Sequence, residues 1–221
     1  MDEAYLIRAE QVKKSYGNLE VLKGIDLKIR SSEIVCITGE SGAGKSTLLH
    51  ILGTLDKPDY GKVYFREKPV SDLNSQQLSN FRNRNLGFVF QFHQLLPEFS
   101  AMENACMPAW IAGLSKKEAE EKAMPLFAML GLEDRIHHKP NELSGGEQQR
   151  VSVVRALINN PGVILADEPS GNLDSKNAKA LHEYFLKLRD ELGQTFVIVT
   201  HNTELAGMAD RNLHMVDGQF N

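Results

Sequence analysis

The chain has 221 residues, with 25 Lys and Arg against 29 Asp and Glu, a net charge of -4 and a pI near 6.0. That length can bury a full core as one domain carrying a lobe, and that charge leaves no basic stripe for phosphate backbones, which argues against nucleic acid as the main partner. No window approaches about eighteen consecutive apolar residues, and Met1-Asp2-Glu3-Ala4 lacks the form of a signal peptide; the expectation is a soluble chain that meets a membrane only through a partner.

In chain order, Leu6 to Val12, Glu20 to Leu22 and Ile25 to Ile29 alternate as an antiparallel sheet does, with a turn at Tyr16-Gly17-Asn18. Ile34 to Thr38 then reads as a buried strand. It enters Gly39-Glu40-Ser41-Gly42-Ala43-Gly44-Lys45-Ser46, and Ser46 to Leu55 reads as the helix that leaves it. A glycine-rich turn ending in Lys-Ser is a device for holding nucleotide phosphates. Backbone N–H groups must wrap a polyanion, which requires residues free to take positive φ and to leave no Cβ in the way, and Gly39, Gly42 and Gly44 supply that freedom. Lys45 places a charge at the β- and γ-phosphates, Ser46 offers a hydroxyl to Mg²⁺, and the helix N-terminus points its dipole at the same anion; Ser41, Ala43 and Thr47 complete the cradle.

Beyond the loop the pattern is helical between Ser71 and Lys139, including Ser115 to Leu130 with a capping box at Ser115-Lys116-Lys117-Glu118. This reads as a helical lobe inserted into an α/β core. The strands of the core are Ile34 to Thr38, Gly87 to Phe90, Val163 to Asp167 and Phe196 to Thr200, the signature of a mostly parallel sheet with helices on its faces. Cys36 and Cys106 lack metal-ligand spacing and read as buried thiols in a reducing compartment, which favours the cytoplasm. His137 and His138 read as a solvated turn, and Met102, Met107, Met124 and Met129 as packing of the lobe.

Two further segments carry chemistry. Val163-Ile164-Leu165-Ala166-Asp167-Glu168 delivers two acids at the carboxyl end of a buried strand, where α/β sheets place ligands. Asp167 can reach Mg²⁺ through its water shell, and Glu168 can orient the water that attacks the γ-phosphate. In Leu143-Ser144-Gly145-Gly146-Glu147, Ser144 and Glu147 form a capping box for a helix running to Asn160 before Pro161. Two glycines after a capping serine weaken that helix by about 1 kcal/mol each relative to Ala, which makes sense where a backbone must approach a phosphate closely.

At this point the chain resembles the nucleotide-binding subunit of ABC transporters, whose signature is this Leu-Ser-Gly-Gly run, over nearly its whole length. The resemblance implies a P-loop NTPase fold: a single domain over 1–221, with a RecA-like core at 1–86 and 161–221, an N-terminal antiparallel layer and a helical signature lobe at about 87–160. It implies that Tyr16 stacks on adenine, that Gln91 links the γ-phosphate and its Mg²⁺ to the membrane subunit, and that His201 contacts the γ-phosphate. It also implies that Ser144, Gly145, Gly146 and Glu147 act on nucleotide held by a second copy, with Asp174 in the interface loop Ser170-Gly171-Asn172-Leu173-Asp174. Asn202 stands where the family commonly has an acid. The implied state is an ATP-dependent homodimer that hydrolyses ATP.

Within the family, Ala166 to Asp174 looks like the subclass that powers lipoprotein release, macrolide-type export and cell-division signalling. Gly87 to Asn104 is similar to the ATPase of the lipoprotein-releasing system, and an exporter of the macrolide type or another envelope system is the alternative. Phe92, Leu95, Leu96 and Phe99 either dock permease subunits at the cytoplasmic face of a bacterial inner membrane or pack the lobe. Relatives of the same head that act on DNA or ribosomes carry long coiled coils or two heads. Here about a hundred residues without heptads separate Lys45 from Ser144, which favours transport.

Overall fold

The computed structural model describes residues 5–221, so the expectation drawn from Met1 to Ala4 lies outside the described residues. Strands β1 (Ile7–Tyr16) and β2 (Leu19–Ile29) form an antiparallel pair joined at Gly17 and Asn18. The two separate segments expected at 20–22 and 25–29 are one strand: Gly24 interrupts the apolar alternation, but pairing resumes across it, Lys13 opposite Lys23 and Val12 opposite Ile25. Next come β3 (Ile34–Thr38), α1 (Lys45–Leu52), β4 (Tyr60–Phe65) and β5 (Lys68–Pro69). Strands β4 and β5 join β1 and β2 in a four-stranded sheet of order β2-β1-β4-β5. Helix α1 stops three residues short of the expected Leu55, with Gly53 at its C-cap.

The middle of the chain contains α2 (Ser75–Asn85), β6 (Leu86–Phe90), α3 (Ala101–Ile111), α4 (Lys116–Met129) and α5 (Gly145–Leu157). The remainder is β7 (Val163–Asp167), α6 (Ser175–Leu192), β8 (Thr195–Val199), α7 (Thr203–Met208), β9 (Arg211–Val216) and β10 (Gln219–Phe220). The second sheet runs β10-β9-β3-β8-β7-β6 and is parallel except for β10. Because β6 is its edge strand, the lobe boundary expected near residue 87 falls inside the core, and the departure from the sheet comes after Phe90.

Both faces of this sheet are covered, as parallel sheets require. Ile34 and Cys36 of β3 face a helical core with Ile164, Ala166, Phe196 and Ile198, while Val35 and Ile37 face α1 and the antiparallel layer with Leu165, Val197 and Val199. Burying each such aliphatic side chain contributes about 1.5–3 kcal/mol, which is why these strands read as unbroken apolar runs. Cys36 and Cys106 are both buried, and burial pushes their thiols up to about 12 and about 11. Met102 is buried, whereas Met124 is exposed and so departs from the packing expected of it; His137 is exposed, and His138 is half-buried rather than solvated. Among the described residues no helix is long and apolar enough to cross a membrane.

Candidate active site

The carboxyl ends of β3, β8 and β7, adjacent in the sheet, bring three loops to one place. The first is the turn between β3 and α1. Gly44 caps α1 at φ 103°, and a Cβ there would sit 2.9 Å from both the Leu22 Cδ2 atom and the Val21 carbonyl, so the antiparallel layer presses on the loop and leaves room only for glycine. Lys45 Nζ donates to the Gly39 and Glu40 carbonyls at 2.9 and 2.8 Å, which holds the ammonium over the loop. Ser46 Oγ donates to Asp167 Oδ1 at 3.1 Å. Burial raises the Asp167 carboxyl above the ordinary range, an effect that this hydrogen bond opposes.

Glu168 follows directly, at φ +46°. A left-handed conformation in a non-glycine residue costs about 1–3 kcal/mol and persists only where its surroundings impose it. Here the Glu168 amide donates to the Val199 carbonyl at 2.9 Å and its own carbonyl accepts from the Gly171 amide at 3.0 Å. The kink turns the carboxylate toward β8. Its Oε2 accepts from Thr200 Oγ1 at 3.2 Å and from the His201 amide at 3.3 Å, and His201 Nδ1 lies 2.9 Å from Oε1. The Glu168 side chain is largely enclosed, while that of His201 is 74% exposed. A carboxylate held by the Thr200 hydroxyl and the His201 amide, with the exposed His201 imidazole against its other oxygen, is suited to orienting a water against an incoming phosphate.

A cleft of about 680 Å³ gathers Tyr16, Gly39, Ser41, Gly42, Gly44, Lys45, Ser46, Thr47, Gln91, Glu168 and His201, together with Leu19, Val21 and Val199. Ala43 is buried behind the loop, and Asp167 meets the cleft through Ser46. Gln91 is clasped from the neighbouring loop, where its Nε2 donates to Asn172 Oδ1 at 3.0 Å and Asn172 Nδ2 donates to the Gln91 carbonyl at 3.1 Å. Asn202 caps α7 by accepting from the Leu205 amide at 2.9 Å, which gives the residue where the family commonly has an acid a local role.

Ser144, Gly145, Gly146, Glu147 and Asp174 are not in this cleft; they lie at the N-termini of α5 and α6. The capping box read from the sequence is present. Ser144 Oγ accepts from the Glu147 amide at 3.3 Å, and Glu147 Oε2 accepts from the Ser144 amide at 2.8 Å. Arg135, which the sequence did not single out, donates to Glu147 Oε1 at 2.7 Å. Burial opposes ionisation of Glu147, but Arg135 and the two Ser144 donors outweigh it and bring the carboxyl to about 2. Asp174 caps α6 through the Asn177 amide at 3.0 Å, and Asn177 fills the space that a Cβ on Gly146 would need.

The segment after Gln91 is pinned by its backbone and offers its side chains. Buried Asn104 accepts from the Leu96 amide at 2.7 Å and donates to the Phe99 carbonyl at 3.0 Å. From α5, Arg155 donates to the Gln94 and His93 carbonyls at 2.8 and 2.9 Å, and Gln149 to the Phe90 carbonyl at 3.2 Å. Phe92 is 70% exposed, Leu96 44% and Phe99 36%, but Leu95 packs against the helical core and departs from the expected docking set. Beside them lies a mostly apolar groove of about 360 Å³, lined in part by Leu55, Phe88, Phe90, Ile111 and Arg155.

A phosphate loop, a kinked acid after a buried strand and a capped Ser-Gly-Gly helix start, in this order on this sheet, define an ATPase of the transporter class. The family model described as ABC transporter matches residues 22–171, and the chain belongs to that family: it hydrolyses ATP in a process coupled to transport. The lipoprotein-releasing system ATP-binding protein LolD of Bacteroides thetaiotaomicron is 63% identical over 213 residues, covering 96% of this chain and 98% of the relative. The protein of that name from Aquifex aeolicus is 52% identical over 216 residues, covering 98% and 96%. Among solved structures, the dimeric structure of MJ0796, a bacterial ABC transporter cassette, matches with a TM-score of 0.88 at 41% identity, covering 97% of this chain and 96% of that one. A dimeric post-hydrolysis state of that cassette bound to ADP and Pi also has a TM-score of 0.88, at 40% identity over the same shares.

Proposed function

We propose that this chain powers a lipoprotein-releasing permease from the cytoplasmic face of a bacterial inner membrane, closing as an ATP-bound homodimer and opening on hydrolysis. The observation that carries the dimer is the separation of the two half-sites: Lys45 and Glu168 line the cleft, whereas Ser144 to Glu147 lie outside it on α5. A second copy brings its Ser144 to the first copy's γ-phosphate. The lipoprotein cargo rests on the near full-length likeness to proteins of that name.

In this reading Tyr16 stacks on the base, the loop from Gly39 to Thr47 wraps the phosphates, and Lys45 leaves its carbonyl partners for the β- and γ-phosphates. Glu168 orients the attacking water and stabilises it as charge develops, while His201 and Gln91 contact the γ-phosphate side. Asp174 meets the partner copy. A hydroxyl and a carboxylate already face one another at Ser46 and Asp167, an all-oxygen donor pair of the kind Mg²⁺ takes; these two, with Gln91, would hold it alongside the phosphates. Bound there, the ion would neutralise charge on the β- and γ-phosphate oxygens.

Phe92, Leu96 and Phe99, with the adjacent apolar groove, receive the permease. The test is capture of the chain by detergent-solubilised permease of the lipoprotein-releasing type. Phe92→Ser, Leu96→Ser should bind ATP like the unmodified chain yet lose permease binding by at least tenfold, since two exposed apolar anchors are removed. Permease capture at unchanged strength by this folded variant would reject the docking role, and no capture of the unmodified chain would reject the assignment to that system.

A further inference from the structure

Tyr16 ends β1 at the tip of a hairpin whose connection is only Gly17 and Asn18, and it is 51% exposed. A ring at such a tip has little packing of its own to fix it. It is fixed instead by polar contacts from the segment after α1. The Tyr16 hydroxyl donates to Asp56 Oδ2 at 2.7 Å. The other carboxylate oxygen, Oδ1, accepts from Lys14 Nζ at 2.9 Å, and the same ammonium donates to the Lys57 carbonyl at 2.8 Å. Lys14 is only 9% exposed, and its Nζ lies 5.2 Å from the Tyr16 ring centroid. One residue along, the Ser15 amide donates to Asp59 Oδ2 at 2.7 Å, and the Asp59 amide donates to the Lys13 carbonyl at 2.9 Å.

This network connects two parts of the cleft that are distant in sequence. Helix α1 begins at Lys45, in the phosphate loop, and ends at Leu52. The Leu55 and Asp56 amides both donate to the His50 carbonyl in its last turn, at 2.8 and 3.3 Å, so the position of Asp56 is set by the helix. The element that presents N–H groups to phosphates at one end thus presents a carboxylate to the tyrosine at the other. The hydrogen bonds from Lys14 and Tyr16 hold that carboxyl at about 2, so it remains an anionic acceptor throughout the physiological range.

We infer that Asp56, braced by Lys14, is a positioning residue for the nucleotide base: it locks the Tyr16 ring in the orientation against which a base stacks and ties base recognition to the helix that carries the phosphate loop. This rests on the reading of Tyr16 as the base platform. A side chain ordered in advance spares the entropy of ordering it on binding, so the gain appears in nucleotide affinity and not in the binding of phosphate alone.

The test compares calorimetric affinities for a non-hydrolysable ATP analogue and for inorganic tripolyphosphate, in the presence of Mg²⁺. Tyr16→Phe keeps the ring and removes only the anchoring hydroxyl, and Asp56→Ala removes the acceptor. Each should weaken the analogue about three- to tenfold, the effect of ordering one side chain on binding. The double variant should bind no more weakly than Asp56→Ala, because both changes break one bond. Tripolyphosphate should bind all of them like the unmodified chain. If Tyr16→Phe binds the analogue normally while Tyr16→Ala does not, the ring stacks without needing its anchor and the positioning role is overturned. If Tyr16→Ala also binds normally, the base-platform reading fails with it. Equal losses for both ligands would make the network a staple of the whole site, which also overturns the inference.

Discussion

Glu147→Gln isolates the charge beneath the signature serine. Gln at this third helical position can still accept from the Ser144 amide, so the capping box survives in form while the carboxylate that binds Arg135 is lost. In the folded chain the Glu147 carboxyl sits at about 2 against an ordinary 4.5. At 1.36 kcal/mol per pH unit the whole difference would correspond to about 3 kcal/mol, but Gln keeps the Ser144 bond and the Arg135 partner is partly exposed, so the share that the variant removes is about 1–2 kcal/mol. Because the folded value is the lower one, the contribution is fully present above 4.5 and is lost as the pH falls toward 2. Urea unfolding of the variant should therefore show a deficit of about 1–2 kcal/mol at pH 7, shrinking to about half of that by pH 3. Arg135→Met should show a smaller deficit, about 1 kcal/mol, because Arg135 is partly exposed and water screens the pair. A Glu147→Gln deficit that stays constant from pH 7 to pH 3, or that never exceeds about 0.5 kcal/mol, would refute the reasoning.

On the proposed reading, Lys45→Ala removes charge at the β- and γ-phosphates before and during the reaction, so nucleotide binding and turnover should both fall; Glu168→Gln removes only the group proposed to orient the water, and turnover should drop about a hundredfold or more with affinity nearly unchanged. Nucleotide titration and phosphate-release assays separate the two. Asn172→Ala should release Gln91 from its two-bond clasp and lower turnover about three- to tenfold while ATP affinity holds; steady-state kinetics with unchanged kcat would reduce the clasp to loop packing.

What was legible in the sequence was local. The strand at Ile34 to Thr38, the strand at Val163 to Asp167 and the capping boxes at Ser115 and Ser144 all occur where the chain alone places them, because apolar run length and side-chain to backbone bonding span only a few residues. What escaped was set at a distance. Tyr60 to Phe65 is a strand because it pairs with Ile7 to Lys13, some fifty residues earlier, and nothing within the segment announces that partner. The place of Glu168 after a buried strand points to a catalytic acid, but the left-handed turn that aims it depends on Val199, Thr200 and Gly171. Arg135, Asn172 and Asp56 are ordinary polar residues in sequence, and each matters through contacts that only the fold creates. Leu95 and Leu96 look alike in sequence; the turn after Gln91 sends the first inward and the second to the surface.

The central claim is that one chain holds half of each site. Light scattering of Glu168→Gln with saturating ATP and Mg²⁺ tests it, since this variant should bind nucleotide yet stall before hydrolysis. The account predicts a dimer with ATP and a monomer without it, and a Ser144→Arg change in the same background should abolish the dimer by placing bulk and charge where the partner's nucleotide must seat. A Glu168→Gln chain that stays monomeric with its nucleotide site filled would contradict the account.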